Sequence, residues 1–501
     1  MFYNNTNTKL RKSIPKIGIL LSLILQLYSF RTQNYNIQIV SITVLLVSTW
    51  LDLPKGSILP KTFLLMFQVF LINMPLIDIF RKKAWWQNNY NLASLPQSLM
   101  MIYISLVFLL IGFKVFLQEN NKCIKSGTLS SHFSLISKNI NNRIENFLEQ
   151  NKIPKKNIYF LVFTLYIITF GCSLYAEADK LLFMSGKTYE DFYKLYSITY
   201  PPIISIIGNL NTYFMIFILA LLPKKKLSFT ILTLNIVKTI PLLIIGKRGP
   251  FMLAGLFAVV YYLLRDSLKD NEKWFGKKEK ITLILALPLL LSLMTLINYS
   301  RSGFETHGIK IFDYSVDFFY RQGFTFKVFT LGIEKFGDIQ SFSPGKNFIF
   351  GEIIDLFKFG RLSQIIFSAP SLPLGNSEFA AIHSSSYAHS LAYIAHPQYL
   401  QGHGYGSSYI LEGFQTYGII GIAMVNLVVA FILTKSRKLF MDNFLSRFIA
   451  LIFIEKIFFL PRASFSSLFS VFLKPSFIVF VLTIVGFLFV NKYYNKYSKN
   501  Q

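Results

Sequence analysis

Residues 96–117 read PQSLMMIYISLVFLLIGFKVFL, a run of 22 residues with a single charge, Lys114. Coiled as an α-helix at ~1.5 Å per residue it reaches about 33 Å, enough to cross the ~30 Å hydrocarbon core of a bilayer. Comparable apolar runs recur at 14–30, 37–51, 59–80, 157–176, 202–222, 227–246, 250–264, 281–298, 409–433, 446–461 and 468–490. The pattern predicts an all-α polytopic membrane protein with about twelve transmembrane helices. Composition agrees: 53% of residues are hydrophobic, only 15% are charged, and the mean hydropathy is +0.46, which excludes an ordinary soluble domain.

Lys and Arg total 51 against 24 Asp and Glu, a net charge of +27 that in a soluble chain would suggest nucleic acid. Here the charge falls in short connections between apolar runs, so it reads as cytoplasmic loops beside anionic lipid, with no nucleic-acid partner. The connections at 118–156, 224–226, 265–280 and 435–438 carry the Lys and Arg excess, and one threading places all of them inside, with both termini cytoplasmic. The cluster Arg81-Lys82-Lys83 falls on the outer side in that threading, next to Trp85 and Trp86, which suit an interfacial aromatic belt. A basic start (Lys9, Arg11, Lys12, Lys16) precedes the first run without a small-residue cleavage site after it, so that run reads as a retained anchor. The two cysteines, Cys123 and Cys172, form neither a disulfide framework nor a zinc pattern.

Three regions follow. Residues 1–298 hold nine spans, 299–408 form a large extracytoplasmic cap, and 409–501 hold three more spans and a cytoplasmic tail. A structureless loop as long as 299–408 is improbable inside a compact protein, so short or re-entrant helices are expected there, punctuated by Gly/Ser/Pro clusters at 341–346 and 368–377. A second outer segment, at about 177–201, carries Glu177, Asp179, Glu190 and Asp191.

The threading puts Arg248 (in Gly246-Lys247-Arg248-Gly249-Pro250), Arg301, Arg321, Arg361 and Arg462 on the outer face, where positive charge is usually avoided. Singly, each could snorkel to headgroups or pair with an acid. Together, guanidinium forks that bind phosphate bidentately suggest a pyrophosphate presented by the membrane.

Of six histidines, His307, His383, His389, His396 and His403 lie in the cap. The last four are spaced by six or seven residues, which puts neighbours on different helical faces, so no metal site is expected. One of them acting as general base or acid suits a side chain whose unperturbed pKa is near 6.5.

The segment Gly402 to Gly421 leads from the cap into the tenth span. It offers repeated glycine, Ser407 and Ser408 as helix caps, and Glu412 about one turn into the membrane, either as an acid–base group or as the partner of an Arg. Lys238, Glu455 and Lys456 are further intramembrane charges that read as helix-packing ion pairs or as a relay.

As an ordered set, Gly246–Pro250, Arg301-Ser302-Gly303, Arg321-Gln322-Gly323, the Gly404–Gly418 segment and Pro461-Arg462-Ala463-Ser464 resemble the O-antigen polysaccharide polymerase family, the Wzy-type integral membrane polymerases, over roughly 240–470. The resemblance implies a GT-C-like architecture in the bacterial inner membrane. It implies metal-independent, inverting transfer of a growing chain from undecaprenyl pyrophosphate to the next lipid-linked repeat unit on the outer face, without a cofactor. The arginines, with Ser407 and Ser408, would then hold the pyrophosphate. His383 or His389, before His396 or His403, would be the base, with Glu412 as its rival. The implied partners are undecaprenyl-pyrophosphate-linked glycans and membrane lipid, with a chain-length regulator and a flippase. The rival functions are an O-antigen ligase transferring finished polymer to a lipid A core, and a flippase of lipid-linked oligosaccharide.

Overall fold

Residues 2–80, 91–122, 155–185, 187, 195–268, 272–302, 311–373 and 375–497 are described by the computed structural model. Among them the regular structure is helical throughout, with no strand. Among the described residues ten helices are long and apolar enough to cross a membrane: Ser13–Thr32, Tyr35–Asp52, Ile58–Phe80, Leu95–Gln118, Tyr159–Phe183, Pro202–Ala220, Lys225–Ile245, Arg248–Ser267, Tyr409–Met441 and Ser467–Val490. The chain is thus an all-α polytopic membrane protein.

The other two expected spans look different. Residues 281–298 fall in the helix Lys277–Ser302. The expected span at 446–461 is a helix of 14 residues, Phe444–Ile457, followed by a 3-10 turn at Leu460–Arg462. That helix measures about 21 Å and is too short to cross alone. The Arg81–Lys83 cluster with Trp85 and Trp86, Cys123, most of 118–156, Glu190, Asp191 and His307 lie outside the described residues, as does the side chain of Arg301.

The chain divides into two compact units. The first comprises Met1–Gln118, Ile281–Thr434 and Ile457–Ser467, and the second Glu119–Lys280, Lys435–Lys456 and Leu468–Gln501.

In the first unit Asn34 caps the helix Tyr35–Asp52, its side chain accepting from the Asn36 and Ile37 amides at 3.0 and 3.4 Å. The cap ends in a tight hairpin, so this helix packs back along Phe2–Thr32, where the Ser41 hydroxyl donates to the Ser22 carbonyl at 2.7 Å. Deeper in the unit, Ser105 on the helix Leu95–Lys122 and Tyr409 both donate to Asn426 Oδ1, at 2.9 and 2.7 Å. All three side chains are fully buried. With no water to compete, these bonds fix how Tyr409–Met441 seats against Leu95–Lys122. Between Lys277–Ser302 and Tyr409–Met441 the described residues form a chain of short helices from Ile311–Gln322 to Tyr387–Ala395.

The helix Tyr409–Met441 is broken at Tyr417 and Gly418, the latter at φ +59°, ψ −140°, which side chains rarely adopt. The break swings the chain so that Gly421 meets the carbonyl of Gly413, where a Cβ would clash. Short helices of residues 336–359 and their connections hold the segment beside the break: the Gln415 carbonyl accepts from Gln340 Nε2 at 3.1 Å, and the Phe348 amide donates to the Thr416 hydroxyl at 3.2 Å.

The second unit is held by aromatic packing of Phe214 and Phe217 against Phe480, with centroids 5.1 and 6.0 Å apart. Arg265 also sits 4.0 Å over the Trp274 ring while donating to the Pro223 carbonyl at 3.0 Å. Two of its spans are interrupted, Pro202–Gly208 from Asn211–Ala220, and Lys225–Val237 from Ile240–Ile245.

Candidate active site

Glu412 is 1% exposed, and both of its carboxylate oxygens are occupied. Oε1 accepts from the Ser407 hydroxyl at 2.7 Å, while Oε2 accepts from the Ser464 hydroxyl at 3.1 Å and the Phe465 amide at 2.8 Å. Two strings far apart in sequence, Gly402–Gly421 and Pro461–Ser464, therefore meet at one carboxylate. A buried acid is tolerated when donors converge on it, and three do. What it holds is the turn that carries Arg462, which is half-buried and engaged with neighbouring groups. Ser408 is fully buried and its hydroxyl has no hydrogen-bond partner among the described residues.

The helix Gly351–Phe359 links this cluster to the histidines. At its start the Glu352 amide donates to the Ser466 hydroxyl at 3.1 Å, and Ser466 bonds Ser464 at 2.9 Å. One turn on, the Asp355 carboxylate accepts from the Ser384 hydroxyl and from the Ser385 amide, the latter at 2.8 Å. Asp355 thereby anchors the bend between the helix Glu378–His383 and the helix Tyr387–Ala395 that carries His389.

His389 Nδ1 lies 2.8 Å from the Tyr399 hydroxyl, which donates its single proton to the Ser377 carbonyl at 3.2 Å. Both contacts of the Tyr399 hydroxyl are satisfied together when Nδ1 carries the hydrogen of their shared bond, the tautomer that leaves the lone pair on Nε2. Burial pushes the imidazole below its ordinary pKa; the Asp355 charge acts against this, and Lys346 adds to the lowering. Lys346, itself pushed down by burial and held up by Asp355, donates to the Ala381 carbonyl at 3.1 Å. His383, by contrast, is exposed, its ring 4.5 Å from that of Phe379. His396 and His403 stack on each other at 5.3 Å, and burial, with His403 adding to it, lowers the pKa of His396.

The arginines differ among themselves. Arg321 is paired with Asp317, Nε to Oδ2 2.7 Å, one turn apart on Ile311–Gln322. Arg361 is exposed at the start of Arg361–Phe367, and Arg301 ends Lys277–Ser302. These three belong to the first unit with Arg462, and Arg248 to the second. There Gly246, at φ +100°, closes the preceding helix, and Arg248 opens Arg248–Ser267 with Pro250 in its first turn. Its guanidinium thus leaves the chain at the positive end of a helix dipole, where anions are favoured. Beside it, burial pushes the Lys247 ammonium below its ordinary value; Lys180 adds to this and Glu177 opposes it.

Reading the sequence singled out Glu412, Ser407, His389 and the Arg462 string, but missed Asp355, Lys346 and Tyr399. Asp355 sits on an ordinary amphipathic helix between Glu352 and Lys358, Lys346 follows a Ser-Pro-Gly turn, and only the fold brings them to His389. A pointer existed in the run Ser384-Ser385-Ser386, a cluster of small donors suited to an acid from elsewhere in the chain.

The family model for O-antigen polysaccharide polymerase Wzy matches residues 14–496, nearly the whole chain. No curated protein and no solved structure matches the chain. The chain belongs to the O-antigen polysaccharide polymerase family, whose multi-pass membrane enzymes join lipid-linked oligosaccharide repeat units.

Proposed function

We propose, with that membership as premise, that the chain transfers a growing glycan from undecaprenyl pyrophosphate to the next lipid-linked repeat unit. The transfer is metal-independent and takes place on the outer face of the bacterial inner membrane. Residues 299–408 form the extracytoplasmic cap, and both termini lie in the cytoplasm. The observation that carries this reading is the helix Gly351–Phe359, whose first turn touches the serines beside Glu412 and whose Asp355 sits in the field of His389.

In this mechanism the acceptor hydroxyl attacks the anomeric carbon of the donor, the bond from that carbon to the pyrophosphate oxygen breaks, and configuration inverts. The proton of the attacking hydroxyl goes to Nε2 of His389, with Nδ1 steadied by Tyr399. Negative charge grows on the departing pyrophosphate, and Arg462, Arg301, Arg321 and Arg361 are the guanidiniums that stabilise it, while Arg248 of the second unit is a separate phosphate-binding guanidinium. Glu412 acts as a positioning residue, holding with Ser407 the turn on which Arg462 stands. His383 is the alternative base.

The test is gel analysis of surface polysaccharide and lipid-linked intermediates from a deletion strain complemented with wild type or Arg248→Ala. Wild type should restore the ladder, and Arg248→Ala should leave single repeat units while the protein accumulates normally. Long polymer left unattached in the deletion strain would mean a ligase, repeat units trapped on the cytoplasmic side would mean a flippase, and a full ladder with Arg248→Ala would remove that residue from the site.

A further inference from the structure

A polar cavity of about 380 Å³ lies inside the second unit, built from residues separate from the Glu412 and His389 clusters. Its size falls in the range of small-molecule pockets, about 300–1,000 Å³. Both interrupted spans of the unit break in its wall. Gly208 and Asn209 line it where Pro202–Gly208 gives way to Asn211–Ala220, and Lys238 and Thr239 line it where Lys225–Val237 gives way to Ile240–Ile245. Non-helical backbone at membrane depth survives only where it is buried in protein or lines such a cavity, and paired broken helices are a way of building intramembrane binding sites.

The charges of the wall balance. Glu177 is paired with Lys180 and Glu455 with Lys456, each at 2.8 Å, while the Lys238 ammonium donates to Asn211 Oδ1 at 2.7 Å. Of the four charged residues that line the space, Glu177 and Glu455 are acids and Lys238 and Lys456 are bases. A phosphate, which only accepts hydrogen bonds, would face two carboxylates here. A hydroxyl-rich ligand can donate to those carboxylates and accept from the lysines.

The neutral groups of the wall favour the same ligand. The side chains of Ser173, Thr212 and Asn235 line the cavity, and none of them hydrogen-bonds to another described residue. Asn235 is only 8% exposed, so its amide has little to face but the cavity. An amide that opens on the cavity takes its hydrogen bonds from whatever fills that space, and the hydroxyls of a ligand can supply them.

We infer that this cavity is a saccharide subsite, which holds one or two neutral sugar rings through Ser173, Thr212, Asn235 and the Lys238 ammonium. The inference deepens the polymerase reading, and rests on it only for which sugar arrives.

Saturation-transfer NMR on the full-length protein in nanodiscs tests it, with two probes run separately. One is the repeat-unit oligosaccharide released by mild acid from the lipid-linked material of the deletion strain, and the other is N-acetylglucosamine. Wild type should give transfer to a sugar probe. Thr212→Val, which keeps shape and removes the hydroxyl, and Asn235→Leu should weaken it roughly tenfold, and inorganic phosphate should not compete. Equal transfer in wild type and both variants, no transfer in wild type, or displacement by phosphate would overturn the inference. The N-acetylglucosamine arm separates the two readings. Transfer that depends on Thr212 and Asn235, in a protein whose deletion leaves the polysaccharide unchanged, would sink the polymerase and keep the subsite.

Discussion

The backbone amide of Phe465 donates to Oε2 of Glu412 at 2.8 Å, so an acid at the mouth of one helix holds a turn 53 positions further along the chain. The Ser464 hydroxyl joins the same oxygen, and Arg462 stands two residues before it. Placing a guanidinium this way makes its geometry depend on a carboxylate that never needs to touch substrate. The predictions below start from that dependence.

Glu412→Ala leaves the Ser407 and Ser464 hydroxyls and the Phe465 amide without their acceptor, at about 1–3 kcal/mol for each group that stays buried and unpaired. Its melting temperature in detergent should fall clearly, and that of Ser464→Ala by less. If Glu412 works through Arg462, polymer output from Glu412→Ala with Arg462→Ala should be no lower than from Arg462→Ala alone. Additive losses would assign Glu412 a role of its own.

Chain growth in membranes should have an acid limb set by His389, active when the imidazole is neutral. Burial lowers its pKa, so the limb should lie below the ordinary histidine value, with activity lost as pH falls through it. Asp355 raises that pKa and Lys346 lowers it, so Asp355→Asn should move the limb to lower pH and Lys346→Met to higher pH. A limb that ignores both substitutions and persists in His389→Gln would pass the role of base to His383.

Arg321 and Arg361 should separate on stability. Removing Arg321 strips an ion partner from Asp317, whose side chain is 3% exposed, and should cost roughly 2 kcal/mol, between the values for surface and buried pairs. Arg361 is exposed, and Arg361→Ala should change stability by no more than about 0.5 kcal/mol. Thermal unfolding of the two variants side by side decides this, and equal destabilisation would contradict it.

Gly418→Ala forces a side chain into a conformation that costs of order 1–3 kcal/mol, and Gly421→Ala puts a Cβ against the Gly413 carbonyl. Both should reduce the folded fraction in membranes, measured by fluorescence-detected size exclusion. Behaviour like wild type from both would mean the break is not needed.

Hydropathy made the spans legible because crossing hydrocarbon demands long apolar runs, and runs such as 96–117 and 409–433 cannot be read otherwise. The breaks inside them were not legible. Asn209 and Lys238 look like polar residues in apolar helices, and only the packed unit shows the backbone parting there around a shared cavity. The helix Phe444–Ile457 was read as a span because Phe458, Phe459 and Leu460 prolong its apolar run, yet Pro461 and the turn that Glu412 holds end it early. Glu412 stood out because a carboxylate among apolar residues is expensive. Asp355 did not, since its value lies wholly in the serines and the histidine that the fold delivers to it.

The break at Tyr417 and Gly418 also bears on how the protein is made. It divides Tyr409–Met441 into a short rod and a long one, and the long one, 419–441, has 16 uncharged residues followed by the bases Lys435, Arg437 and Lys438, and no Asp or Glu. At ~1.5 Å per residue the uncharged part, 419–434, measures about 24 Å, and the long stems of Lys435, Arg437 and Lys438 carry it on to the headgroups. The insertion machinery can therefore commit this segment to the bilayer without burying a carboxylate. Glu412 can enter its pocket later, once Phe465 has been synthesised, so that the site closes only after the segment carrying Arg462 is in place.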